Sequence, residues 1–221
     1  MRVIEGGEEI LDIELEESLL ARNRELAEKN RKLLDEKGVT AIDVMGSIGS
    51  GKTTLIGQLV RKLKGRRSIA VIAGDLTTTI DADRIGREGV QVVQVNTGKE
   101  CHLDAHLVGK ALEEMDLDAI DLLFIENVGN LICPGEFPLG AHKRLVVVSV
   151  TEGPYMVVKH PYIFLDASVA VINKIDLAEA MRVDPAKLEK DVLKINPSAR
   201  VVRTNALTGE GVDEVIQALE I

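Results

Sequence analysis

Gly46-Ser47-Ile48-Gly49-Ser50-Gly51-Lys52-Thr53-Thr54 is the stretch whose reading decides the fold. It fits G-x-x-x-x-G-K-[ST] at every position, the pattern of a loop that wraps phosphate groups. An apolar segment, Ala41 to Met45, runs into it, and Leu55, Leu59 and Leu63 recur at helical spacing behind it. Strand, glycine loop and opening helix form the context in which the pattern carries chemistry. Glycines let backbone N–H groups converge on phosphate oxygens, and the positive end of the helix dipole adds to them. Gly46, Ser47, Gly49, Ser50, Gly51, Lys52, Thr53 and Thr54 are the expected phosphate contacts. Lys52 is expected to reach the outer phosphates during catalysis, and the Thr53 hydroxyl to bind Mg²⁺.

Outward from this loop, short apolar runs alternate with amphipathic segments. The runs lie at 39–45, 68–73, 90–96, 121–126, 144–150, 168–173 and 200–204. Amphipathic segments lie at 52–64, 79–88, 104–115 and 184–195, and a helix closes the chain at 211–220. This alternation predicts an α/β fold: a mostly parallel central sheet flanked by helices on both faces. Aromatic residues are only 2% of the chain, so Val, Ile, Leu and Ala must fill the core. Ahead of the first strand, residues 8–36 are charged, with Leu15, Leu19, Leu26 and Leu33 near heptad spacing and Arg22 and Lys29 interrupting. They predict an amphipathic helix ending at Gly38, its leucine face packed on the main domain or paired with a second chain. The expected division is an N-terminal helical extension, 1–36, and a nucleotide-hydrolase domain, 37–221.

The formal net charge of −9 argues against general nucleic-acid or anionic-membrane binding, which needs clustered Lys and Arg. No apolar run is long enough to span a bilayer, and the Glu-rich start lacks the regions of a signal peptide. The expected location is cytoplasmic, where a disulfide between Cys101 and Cys133 is disfavoured.

Base choice is read farther along. Val171-Ile172-Asn173-Lys174-Ile175-Asp176 ends a strand and resembles the N-K-x-D signature of GTPases. A carboxylate at Asp176 can accept two hydrogen bonds from the N1–H and exocyclic amine of guanine. Adenine offers neither and would leave the carboxylate unpaired. Asn173 and Lys174 shape the pocket, and Asn205-Ala206-Leu207 resembles the loop that meets guanine through backbone amides. GTP and GDP are the implied ligands. Glu126 ends the strand Leu122 to Ile125, with Gly129 three residues on to meet the γ-phosphate. Asp75 ends another strand. Both acids are candidates for Mg²⁺ and for catalysis, and Asp81 and Asp83 follow as further acids. No glutamine stands where a small GTPase positions its water, and no arginine finger can be assigned. With the paired Thr53-Thr54, this points to P-loop proteins that complete their sites by dimerising.

Cys101-His102 and Cys133-Pro134 lie in loops after strands rather than within them. Two thiolates and an imidazole suit Zn²⁺ or Ni²⁺; three ligands leave a tetrahedral site open. Water, His106 or a second chain are candidates for the fourth, and simple packing or redox thiols are the alternative. Glu100-Cys101-His102-Leu103-Asp104-Ala105-His106 and Glu126-Asn127-Val128-Gly129-Asn130-Leu131-Ile132-Cys133-Pro134, added to the GTPase motifs, closely resemble the nickel-incorporation GTPase of [NiFe]-hydrogenase maturation, the HypB family. That resemblance runs from about residue 20 onward. It implies a GTP-dependent homodimer with a Ni²⁺ or Zn²⁺ site at the subunit interface, its ligands Cys101, His102 and Cys133, that assists nickel insertion into a hydrogenase large-subunit precursor together with other maturation proteins. This chain shows neither an N-terminal cysteine motif nor a His-rich tract, so nickel storage is not implied. A urease-type maturation GTPase would carry Cys-Pro-His, whereas here Cys101-His102 and Cys133-Pro134 are separate. A metal-binding scaffold with a weakly active nucleotide pocket, and a small-molecule kinase, are the other readings.

Overall fold

The computed structural model describes residues 10–98 and 100–221, with side chains from Glu17 onward. The expected helix start at residues 8 and 9, the side chain of Leu15, and Lys99 lie outside the described residues. The elements are α1 (Ile10–Glu36), β1 (Thr40–Met45), α2 (Lys52–Leu63), β2 (Ile69–Asp75), α3 (Ile80–Gly86), β3 (Gln91–Asn96), α4 (Ala105–Glu113), β4 (Leu122–Glu126), β5 (Lys143–Ser149), α5 (Met156–Lys159), β6 (Val169–Asn173), α6 (Ala178–Met181), α7 (Pro185–Ile195), β7 (Arg200–Arg203) and α8 (Val212–Leu219). The seven strands run in the order β3-β2-β4-β1-β5-β6-β7, and every ladder between them is parallel. Each predicted strand is present, its bounds moved by one or two residues. The short helices α5 and α6 carry no periodic signal long enough to be read from sequence.

Alternation along the strands explains the two covered faces. Ile42 and Val44 of β1 join Val71, Phe124, Val147 and Val171 beneath α2 and α8. On the other face Ala41, Ile72, Leu123 and Ile125 pack with α4 and with Leu34 of α1. Met45, Val146, Val148 and Ile172 pack with α5 and α7. Phe124 is fully buried, so Phe124→Ala would open a cavity costing about 3–5 kcal/mol.

Helix α1 buries the leucine stripe only in part: Leu26 and Leu33 are half-buried, and Leu33 packs on the core. Leu19 is 55% exposed, and the buried face is Asn23, Ala27, Asn30 and Leu34. The two asparagines replace apolar contacts with backbone hydrogen bonds. Asn23 accepts from Ala105 N (2.8 Å) and donates to Pro138 O (2.9 Å); Asn30 donates to Ala105 O (2.8 Å) and Leu139 O (3.1 Å). The helix thus ties the start of α4 to the 138–139 segment. Among the described residues no helix is long and apolar enough to cross a membrane.

β1 lies between β4 and β5, and the chain switches sides of it on passing from β4 to β5. A crevice opens at the C-terminal ends of strands at such a switch point. The loops after β1, β2, β4 and β6 all gather there.

Candidate nucleotide and metal sites

The phosphate loop leaves β1 and enters α2 through Gly51, whose φ of 106° lies in the left-handed region. A Cβ there would come within 2.2 Å of Asn173 Nδ2, so only glycine fits. Lys52 Nζ donates to the carbonyls of Gly46 and Ser47, both at 3.1 Å. Burial lowers its pKa, against the pull of Glu126 and neighbouring acids. A cleft of about 380 Å³ beside it is lined by Gly49, Thr53, Thr54, Asp75, Glu126 and Gly129. Asp81 also lines it, while Asp83 turns aside to accept from Thr79. The acids expected from three separate strand and helix ends therefore share one crevice. Arg84 is in it too, donating from Nη2 to Thr54 Oγ1 at 3.1 Å. No motif flags Arg84; the one available signal is its position three residues after Asp81, on the same helical face.

Thr53 Oγ1 donates to Glu126 Oε1 at 2.7 Å, and Glu126 Oε2 is buried without a partner. Burial pushes the Glu126 pKa up to about 7, although Lys52 and Thr53 pull the other way. A hard cation beside that orphaned oxygen would satisfy it. Thr53, Asp75 and Glu126 offer oxygen ligands, the donor set Mg²⁺ takes, so the residues present fit the ion. Asp75 also accepts from Leu76 N (2.5 Å) and from the Thr78 hydroxyl, which fixes its carboxylate in a turn.

A second cleft, about 200 Å³, is lined by Thr54, Lys174, Asp176, Leu177, Ala206 and Leu207. Asn173 is only 2% exposed and acts as a strut. It donates to Ser50 O (2.8 Å) and accepts from Thr204 Oγ1 (2.9 Å) and Ala206 N (3.0 Å). It thereby binds the phosphate loop to the 204–207 loop. Leu207 N donates to Asn205 Oδ1 (3.1 Å), so both amides of that loop already hold side-chain acceptors. Gln58 of α2 braces the loop by donating to Ala206 O (3.0 Å), a link the sequence did not reveal.

Cys101, His102 and Cys133 converge, each offering a ligand atom within 4.8 Å of the others. The two sulfurs are 3.0 Å apart, and Cys101 Sγ lies 3.8 Å from His102 Nδ1. Burial raises the Cys133 thiol pKa and lowers that of His102. A neutral imidazole is ready to ligate, while thiolate formation awaits a cation. The His102 ring packs on Phe137, centroids 4.0 Å apart. His106 is not part of this cluster. It is exposed on α4 and lines a neighbouring cleft with Glu100 and Asp104. Asp104 caps α4 by accepting from Leu107 N (2.7 Å), which sets the helix to start just after the ligand pair.

Asn130 joins the two sites. Its N–H donates to Gly46 O (3.1 Å), its Nδ2 to Cys101 O (3.3 Å), and its Oδ1 accepts from Ile132 N (3.0 Å). One residue thus touches the phosphate loop and both cysteine loops. Asn127 plays a similar part deeper down, accepting from Leu103 N and Val128 N, both at 3.0 Å.

Parallel sheet, switch-point crevice and glycine loop together define a P-loop nucleotide-binding protein. Residues 40–203 match the family model of the CobW/HypB/UreG nucleotide-binding domain, and the chain belongs to that family. It is 55% identical over 208 residues, 94% of each chain, to the probable hydrogenase maturation factor HypB of Methanocaldococcus jannaschii. The crystal structure of hydrogenase maturation factor HypB from Archaeoglobus fulgidus superposes with a TM-score of 0.85 at 46% identity, covering 90% of this chain and 98% of that one. HypB from Helicobacter pylori, in complex with nickel, also superposes at 0.85, with 32% identity and coverages of 90% and 94%.

Proposed function

We propose that this protein is a Mg²⁺-dependent GTPase that binds Ni²⁺ or Zn²⁺ at Cys101, His102 and Cys133 and assists nickel insertion into a [NiFe]-hydrogenase. The observation that carries the proposal is Asn130, which links the phosphate loop directly to the loops bearing the thiols. A change at the γ-phosphate, met by Gly129, has one residue to cross before it reaches the metal ligands.

In this reading Asp176 selects guanine, with Lys174 and the Ala206–Leu207 loop lining the base cleft. Gly46 to Thr54 hold the phosphates, and Lys52 stabilises charge developing on them. Thr53, Asp75 and Glu126 hold Mg²⁺, which when bound neutralises phosphate oxygens. Asp75 also orients the attacking water. Turnover is slow, because Arg84 in the cleft is held by Thr54 at 3.1 Å and no arginine finger is assigned. The 37–221 segment is the hydrolase unit and 1–36 its N-terminal extension, of which Asn23 and Asn30 of α1 brace the domain. The cytoplasm keeps the two thiols reduced.

A GTP-dependent homodimer is part of the proposal. Ile48 at the tip of the phosphate loop is 80% exposed, and Ile132 beside Cys133 is 61% exposed. Apolar side chains at the mouths of both sites suit burial against a second copy, which would close the three-ligand metal centre. The client is a hydrogenase large-subunit precursor, reached with other maturation proteins.

The test is isothermal titration of Ni²⁺ and Zn²⁺ into wild type and Cys133→Ala, each with GDP and with a non-hydrolysable GTP analogue, followed by light scattering. Affinity that changes with nucleotide, mass that doubles with the analogue, and loss of metal in Cys133→Ala are expected. Equal affinities in both nucleotide states would remove the switch, since coupling requires differential binding.

A further inference from the structure

Arg84 enters the phosphate cleft from α3, outside every motif of the nucleotide site. Its root is fixed by the next residue: Ile85 is 1% exposed and packs in the core beneath α2. The Arg84 side chain is half-exposed and reaches the first turn of α2. Nη2 donates to Thr54 Oγ1 at 3.1 Å, and Nη1 makes a long contact to Asp81 Oδ1 at 3.5 Å. Its Nε and remaining N–H groups have no acceptor among the described residues. An exposed pair at that distance holds the guanidinium weakly, so an arriving anion displaces it at little cost.

Thr54, on which Arg84 rests, lines both nucleotide clefts. It borders the phosphate cleft with Lys52 and Glu126, and the base cleft with Asp176 and Ala206. Ribose and α-phosphate join the base of a nucleotide to its outer phosphates, so the α-phosphate has to pass this residue. The Thr54 backbone N–H lies in the first turn of α2 and has no acceptor among the described residues. Lys52, Arg84 and Lys174 are the cations of the phosphate cleft. Lys52 donates to Gly46 O and Ser47 O, and Lys174 to Gly49 O, whereas Arg84 is held by side chains alone. Of the acids in the lining, Asp75 and Glu126 are offered to Mg²⁺, which leaves Asp81 facing Arg84.

We propose that Arg84 binds the α-phosphate of the guanine nucleotide, an inference that deepens the GTPase reading above and rests on it. The guanidinium donates to α-phosphate oxygens from the α3 side, and the Thr54 N–H donates from α2. The α-phosphate is the same in GTP and GDP, so the contact stabilises substrate, transition state and product alike. Arg84 is therefore a binding residue and not a stabiliser of the transferred phosphoryl group.

The test compares wild type with Arg84→Ala and Arg84→Lys, substitutions at an exposed position, in the full chain. GDP, a non-hydrolysable GTP analogue, GMP and guanosine compete against a fluorescent GDP, and GTP hydrolysis is followed at steady state. Arg84→Ala should weaken GDP, the GTP analogue and GMP by a common factor of about tenfold, and guanosine by less than about twofold. KM for GTP should rise by about the same tenfold at nearly constant kcat, the mark of lost uniform binding. Arg84→Lys keeps the charge without the planar fork and should recover part of the loss. A loss confined to the GTP analogue, a loss shared by guanosine, or a kcat that falls at unchanged KM would overturn the proposal. Wild type that binds GDP beside an Arg84→Ala that binds it equally well would overturn this proposal alone. Wild type that binds no guanine nucleotide would overturn the GTPase reading and this proposal with it.

Discussion

Glu126→Gln separates what Glu126 does for stability from what it does for chemistry. The side chain is 3% exposed, with one oxygen on Thr53 and the other unpaired. Burial raises its pKa from 4.5 to about 7. An acid whose pKa rises on folding holds its proton more tightly in the native state. The native protein then carries more protons than the unfolded chain between pH 4.5 and about 7, and stability falls as pH climbs through that window. The rise corresponds to ~3 kcal/mol, at 1.36 kcal/mol per pH unit. The loss is absent below pH 4.5 and complete above pH 7. Gln is nearly isosteric, keeps an acceptor for Thr53 and does not titrate. Nucleotide-free Glu126→Gln should therefore exceed wild type at pH 8 by up to ~3 kcal/mol, about 6–12 °C in Tm for a chain of this size. Asp43, raised from 3.8 to about 6, adds a parallel decline that cancels in the difference. The same variant should lose about 100-fold in Mg²⁺-dependent GTP hydrolysis, because a neutral amide is a poor Mg²⁺ ligand. Calorimetric melts from pH 5 to 8, with phosphate release measured at pH 7.5, give both readings. Melting curves of the two proteins that stay parallel across that range would refute the burial argument. Undiminished hydrolysis would refute the metal role.

Three further outcomes are expected. Cys133→Ala should weaken Ni²⁺ and Zn²⁺ by at least about 100-fold while GDP affinity stays within about twofold; in wild type, metal affinity should climb with pH, because burial raises the Cys133 thiol and binding releases its proton. Asp176→Asn should lower GDP affinity by about 100-fold and favour xanthosine diphosphate, since a carboxamide donates where the carboxylate accepts; competition binding with the two nucleotides reads this directly. Asn130→Ala should leave metal affinity in the GDP form nearly unchanged but bring the ratio between GDP and GTP-analogue forms close to one, as titration calorimetry would show.

What the sequence by itself determined is what contiguous residues encode. The phosphate loop is nine consecutive positions between a strand and a helix, so its local conformation follows from its own glycines and flanking periodicity. The seven strands were legible because a sheet covered on both faces needs unbroken β-branched runs. The buried face of α1 was legible only in part, through Leu33 of the leucine stripe. A leucine stripe is the ordinary signal of burial, yet Asn23 and Asn30 face inward because backbone groups of Ala105, Pro138 and Leu139 await them. The grouping of Cys101, His102 and Cys133 was legible through the resemblance of their flanking stretches, while the 3.0 Å approach of the two sulfurs across 32 residues depends on β3 and β4 ending on the same side of the sheet. Arg84 in the nucleotide crevice had only its helical spacing from Asp81 to flag it, and the motifs that contain Asn173 and Asn130 do not tell that one is a strut and the other the junction between sites. Only the tertiary structure decided these, because a hydrogen bond or a desolvated charge is a relation between atoms far apart in the chain, and folding alone brings them within reach.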